Sequence, residues 1–277
     1  MSIIDKLAQV GQAAENERDH MRDVLDNSIP KFAKEHAETI CPSDLRISTI
    51  TIVCKTSLGA INVHALRDHL EQYPDSIEEG VSMSNKTLGN GSVIFKWKQG
   101  QRNVSAQVFT TGSFQIAGVR DPAEAILITH FFCKRLDSLA EESDDSTCSC
   151  VLSYEICMIN STFAIPFNVN LVEAEDAWRK STMFSGLGSC KFEREKHPGL
   201  QIKLENVFVF IFASGKVIVT GARHIDNLFH GYKTACGFLS EFVNRICFKA
   251  SPKAKIPGKR GRKKKQVVEA FYDGFKL

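Results

Sequence analysis

The sequence predicts an α+β fold built from two tandem copies of one unit, each an antiparallel sheet followed by a long amphipathic helix. Three observations carry this. The stretch "QVFTTGSFQIAGVR" (Gln107–Arg120) aligns without a gap on "FIFASGKVIVTGAR" (Phe210–Arg223), with Phe109/Phe212, Gly112/Gly215, Gly118/Gly221 and Arg120/Arg223 identical at one constant offset. Each stretch reads as two strands joined by a glycine turn. Each is then followed by apolar residues at helical spacing.

Taken in order, residues 1–42 read as a helical extension, with Ile4, Leu7 and Val10 and later Met21, Val24 and Leu25 on one face. The first copy spans 43–143. It holds strands over Leu45–Cys54 and Gly91–Lys98, a short helix over Asn62–Gln72, the hairpin, and a helix opened by Asp121 as N-cap and Pro122 in the first turn. Ala125, Ile128, Phe132, Leu136 and Leu139 form the apolar stripe of that helix. The polar run "EESDDSTCSC" (Glu141–Cys150) is a natural hinge.

The second copy spans 149–248. Its strands are Tyr154–Asn160, Cys190–Glu195 and the run Leu200–Phe212, which a turn near Glu205-Asn206 divides in two. Leu228, Tyr232, Ala235, Leu239, Phe242 and Ile246 mark its closing helix. Residues 249–277 read as a disordered basic tail.

Composition excludes several classes. The chain has 277 residues and a net charge of +3, with no uninterrupted apolar stretch of membrane-spanning length and no signal-type start. It reads as a soluble, non-secreted protein without a membrane partner. The nine cysteines are scattered and never spaced C-x-x-C, which suits reduced structural thiols and no metal. There is no nucleophile elbow, no phosphate loop and no carboxylate cluster. Ser214-Gly215-Lys216 sits between strands, and His130, His224 and His230 lie on or beside helices. The expectation is a noncatalytic protein with no cofactor.

In "VFVFIF" alternate side chains point to opposite faces, so Val207, Val209 and Ile211 share one face and Phe208, Phe210 and Phe212 the other. One long helix per unit covers one face well. Helices on both sides, as in an α/β sheet, are one reading; an apolar face kept free for a ligand or partner is the other.

The motif "IFASGKVIVTGAR", joined to a second copy, resembles the second repeat of the TATA-box-binding protein family. The likeness runs from about Leu45 to Ile246, strong in the second copy and faint in the first. It implies a pseudo-symmetric saddle, a curved antiparallel sheet with helices on its convex side and a concave face for the DNA minor groove. There, apolar side chains suit A·T-rich edges and aromatic wedges enter the base stack.

By this resemblance Phe212 and Phe109 fall on wedge positions. Phe210, Ile218 and Thr220 line the groove floor, with Gln107, Gln115 and Ala117 matching in the first copy, and Phe208 joins the DNA-binding set from the same apolar face. Ile50, Ile156 and Met158 correspond to residues on the first strands. Arg223, Arg120, Lys96, Lys203 and Lys216 suit phosphate contacts. His197 and Pro198 of "HPGL" stand at the other second-repeat wedge, and Asn90 at that of the first, so each half lacks one wedge phenylalanine. Glu193 and Glu195 fall where the family offers acids to transcription factor IIB.

The implied function is a general transcription initiation factor that binds and bends A·T-rich promoter DNA through the minor groove, in company with a transcription factor IIB-like protein and the RNA polymerase machinery. The competing reading is a scaffold whose saddle holds a protein, either a partner or a second copy of itself through the concave face. Divergence with intact architecture resembles family members encoded by large DNA viruses, which implies action in the nucleus or a cytoplasmic viral factory. The tail residues Lys259, Arg260, Arg262, Lys263, Lys264 and Lys265 read as a DNA-binding arm or a nuclear signal.

Overall fold

The computed structural model describes residues 3–73, 81–83, 91–100, 102–139 and 149–248. Asn90, Glu141 to Cys148 of the expected hinge, and the basic tail lie outside the described residues.

In chain order, α1 (Ile3–Asp23) passes through a π-helical turn (Val24–Ser28) into α2 (Ile29–Glu35). There follow β1 (Arg46–Thr56), α3 (Val63–Gln72), β2 (Ser82–Met83), β3 (Ser92–Gln99), β4 (Arg102–Phe109), β5 (Phe114–Val119) and α4 (Pro122–Leu139). The second series is β6 (Val151–Ala164), β7 (Asn168–Val169), α5 (Leu171–Lys180), β8 (Ser189–Lys191), β9 (Gly199–Lys203), β10 (Phe208–Phe212), β11 (Lys216–Ala222), α6 (Ile225–Glu241), α7 (Val243–Ile246) and β12 (Cys247–Phe248).

The chain divides into two compact units: unit 1 holds Met1–Asp19 and Thr49–Cys157, and unit 2 holds His20–Ser48 and the described chain from Met158 onward. Strand order is β2-β3-β4-β5-β1 in unit 1 and β8-β9-β10-β11-β6 in unit 2. These are one topology met twice, with every pairing antiparallel. The α+β class follows from that repeat of strand, short helix, strands and long helix.

The turn glycines explain why the repeat shows in the sequence. Gly112 and Gly215 have φ of +75° and +80°, a region that side chains with a β carbon avoid. A β carbon would also lie 2.5 Å from the Leu58 carbonyl oxygen at Gly112, and 2.3 Å from that of Phe167 at Gly215. Each hairpin tip is therefore pressed against the segment that follows the unit's first strand.

Each sheet buries one face against its own helices. In unit 1, Phe132 of α4 stacks on Phe95 of β3 with ring centroids 4.9 Å apart and meets Trp97 at 5.7 Å. In unit 2, Phe238 of α6 packs edge-on to Trp178 of α5 at 5.1 Å, and Tyr232 packs edge-on to Phe163 of β6 at 4.8 Å. Caps set the helix starts: Asn62 Oδ1 accepts from the His64 and Ala65 amides, Asn170 Oδ1 from Glu173, and Asp121 Oδ1 from Glu124 at 2.9 Å. Arg102 locks the start of α4 by a two-pronged bond to Glu124, at 2.8 and 3.0 Å.

The N-terminal extension docks on unit 2 through its later half. Phe32 of α2 lies edge-on to Phe229 at 6.1 Å and to Tyr232 at 5.9 Å, while His20 meets Asp226 and Ser240 donates to Thr39. Met21, Val24 and Ile29 are buried there.

The expected strand Cys190–Glu195 is corrected: only Ser189–Lys191 pairs with a neighbour. The Phe192 amide donates to Glu175 Oε1, and the Glu193 carbonyl accepts from Lys196 and His197, so the chain turns there.

Candidate nucleic-acid interface

On β10 the two faces part as alternation requires. Val209 is 0% exposed and Val207 and Ile211 are buried beneath the helices, whereas Phe208 is 40% exposed and Phe210 and Phe212 are half-buried. No helix covers the phenylalanines among the described residues. Phe208 pairs with Thr220 on one side and Lys203 on the other, and Phe210 with Ile218 and Gln201. The Lys203 ammonium lies 6.0 Å from the Phe208 ring centre. Gly221 leaves space for that ring, since a β carbon there would sit 3.3 Å from Phe208 Cδ2. Lys216 is exposed at the start of β11, on the same side as Ile218 and Thr220.

His197 completes this cluster. Its ring lies 5.0 Å from Phe210 and 5.9 Å from Phe212, centroid to centroid. Its Nδ1 lies 3.0 Å from the Gly199 amide nitrogen and 3.1 Å from the Gly199 carbonyl oxygen, which fixes the ring in place. Pro198 beside it is exposed.

The unit 1 face has the same geometry and different chemistry. Ser105, Gln107 and Phe109 of β4 face away from the helices, while Val104, Ala106 and Val108 are buried. Gln107 stands directly across from Gln115, and Ser105 from Ala117. On the other side Gln107 pairs with Ile94 and Ser105 with the exposed Lys96. Gln107 Nε2 donates to Ser92 Oγ at 2.9 Å. Arg120 and Arg223 are both exposed, each between the last strand and the long helix of its unit.

Two expected contact residues are corrected. Ile50 is 0% exposed, paired with the buried Val119 and sharing the face of Ile52 and Cys54. Ile156 is 6% exposed and also belongs to the core. Ile50 follows the plain alternation of Ile52 and Cys54 onto the covered face, and the irregular register beside the first strands falls on their partners, where Gly118 of β5 and the Thr220-Gly221 pair of β11 carry the extra residue. The outward residues of the first strands are Thr51 and Val53 in unit 1, and Met158, Asn160 and Thr162 in unit 2. Asn160 Oδ1 accepts a hydrogen bond from Thr220 Oγ1. No local sequence signal marks Asn160, since its place beside Thr220 comes from pairing across the sheet.

The acidic pair is uneven. Glu193 is held by Lys191 and by Lys196 at 3.1 Å, and those ammonium groups hold its carboxyl below the usual range. Glu195 is exposed. Among the described residues no group of His, Cys, Asp and Glu is placed to hold a metal ion, and no helix is long and apolar enough to cross a membrane.

Residues 153–242 match the family model "Transcription factor TFIID (or TATA-binding protein, TBP)". The chain is similar to TATA-box-binding protein 1 of Arabidopsis thaliana, 22% identical over 221 residues that cover 79% of this chain and 95% of that protein. It is also similar to the TATA-box-binding protein of Methanococcus maripaludis strain C6, 23% identical over 145 residues, 52% of this chain and 72% of the relative. Among solved structures it resembles the Methanococcus jannaschii TBP, with a TM-score of 0.49 and 18% identity over 71% of this chain and 98% of that one. The family match falls on the unit that carries the aromatic row, and the Arabidopsis relative aligns over most of the chain. Residues 153–242 of this protein thus carry the match to the TATA-box-binding protein family model, and the chain as a whole is similar to TATA-box-binding proteins at low identity.

Proposed function

We propose that the protein binds A·T-rich promoter DNA in the minor groove through the uncovered sheet faces, and bends it chiefly with unit 2. The observation that carries this is the row Phe208, Phe210 and Phe212 on a face that no helix covers among the described residues, flanked by Lys203 and Lys216. An A·T minor groove presents acceptors and apolar edges with no amino group, so aromatic rings pack against it without leaving a donor unpaired. Phe212 and Phe109, at the ends of equivalent strands, are the wedges, and each inserted ring offsets an unstacking cost of a few kcal/mol per step. Lys96, Lys203, Lys216, Arg120 and Arg223 meet phosphates, and the basic tail adds a salt-sensitive arm or a nuclear signal.

Transcription initiation further implies a partner at the turn holding Glu193 and Glu195, of the transcription factor IIB type. Glu195 is the freer of the two for that contact, because Glu193 is already ion-paired. The polar face of unit 1 favours a second reading, a surface that holds protein.

The test is binding and end-to-end fluorescence transfer on short A·T-rich and G·C-rich duplexes at two salt concentrations, with the full chain and Phe212→Ala. Binding with bending that Phe212→Ala abolishes supports the minor-groove reading. Binding that is steeply salt-dependent and indifferent to Phe212→Ala assigns DNA contact to the tail and the sheet faces to protein.

A further inference from the structure

We infer that unit 1 reads a guanine in the minor groove through the side-chain oxygen of Gln107; this rests on the minor-groove function proposed above. The two units place different chemistry at equivalent positions. Phe210 across from Ile218 in unit 2 corresponds, at the constant offset of the repeat, to Gln107 across from Gln115 in unit 1. One pair is wholly apolar and the other is two amides.

The Gln107 amide nitrogen is occupied, donating to the Oγ of Ser92, a residue only 5% exposed. With Nε2 engaged on Ser92, Oε1 is the group left to a ligand on the open face. Against an A·T pair that oxygen meets only adenine N3 and thymine O2, both acceptors, and goes unsatisfied once water is expelled. A G·C pair supplies the one donor the minor groove has, the guanine 2-amino group. Gln115 makes no side-chain hydrogen bond among the described residues, so its amide nitrogen serves the N3 and O2 acceptors of neighbouring pairs. The preferred site is therefore unequal: A·T under unit 2 and an embedded G·C pair under unit 1.

The experiment moves a single G·C pair stepwise through an A·T-rich duplex and measures affinity for the full chain by fluorescence anisotropy, with Phe212→Ala marking binding through the sheet faces. In parallel sets inosine replaces the guanine, which removes only the 2-amino group, and 2,6-diaminopurine replaces adenine, which adds one. At a position toward one end, guanine binds tighter than adenine by on the order of tenfold. Inosine cancels the gain, diaminopurine reproduces it, and Gln107→Leu and Gln107→Met both bring the guanine and inosine duplexes to equal affinity.

If guanine weakens binding at every position while A·T-rich DNA is still bound in a Phe212-dependent way, the inference is overturned and the minor-groove function stands. The same holds if both Gln107 variants keep the guanine preference. If no duplex is bound in a Phe212-dependent way, both fall together.

Discussion

The imidazole of His197 lies tilted against Phe210 with ring centres 5.0 Å apart while its Nδ1 contacts the Gly199 backbone, so the position expected to lack a wedge still carries a ring fixed in the aromatic cluster. A histidine in that place packs less apolar area than phenylalanine. His197→Phe is expected to increase the bend of A·T-rich DNA, and His197→Ala to lower affinity by roughly 0.5–1.5 kcal/mol, the usual worth of an aromatic pair. Fluorescence transfer and anisotropy on one duplex read both.

The two faces of β10 give opposite phenotypes. Ile211→Ala opens a cavity beneath α6 and is expected to cost about 2–5 kcal/mol in urea unfolding. Phe208→Ala, on the uncovered face, costs less than about 1 kcal/mol of stability, as an exposed substitution does, and weakens DNA binding instead. Equal losses of stability at the two positions would mean that the face is covered.

Gly215→Ala is predicted to destabilise unit 2 by roughly 1–3 kcal/mol from backbone conformation alone, with the contact to the Phe167 carbonyl added to it. Gly186, which has open space around it, serves as the control: Gly186→Ala is expected to be near neutral. Thermal unfolding of the two variants distinguishes them.

Burial pushes the Cys54 thiol from its ordinary 9.0 to about 11 and that of Cys236 to about 12. Below pH 9 both are protonated in the folded and unfolded chain, and pH has no leverage through them. From pH 9 upward the unfolded chain releases these protons while the folded chain holds them. Stability then falls by about 1.4 kcal/mol per pH unit for each thiol until its folded value is reached. Urea midpoints between pH 8 and 11 should decline, and Cys54→Ala should flatten the decline. Near neutral pH, iodoacetamide should label the exposed Cys41 and spare both buried thiols.

Local patterning made much of the fold legible. Alternation in Val207–Phe212 assigned both faces of β10, and the Asp121-Pro122 pair located the start of α4, because each depends on neighbours in sequence. The family resemblance places Ile50 and Ile156 outward, whereas the alternation of Ile50 with Ile52 and Cys54 already points it to the covered face, and Ile156 is 6% exposed. Asn160 escaped notice because its bond to Thr220 spans 60 residues. The turn after Lys191 was hidden because the Glu175 carboxylate captures the Phe192 amide from another element.

The docking of Phe32 on Phe229 and Tyr232 means that the chain supplies its own cladding for α6. What approaches this side of unit 2 meets Lys31, Lys34 and Glu35, which are exposed, before it meets the helix that supports the sheet. Its outward charge can thus be rewritten in the N-terminal segment alone, leaving untouched the residues that hold the aromatic row in place. The charge on the helix side and the aromatic row on the sheet side are free to diverge independently.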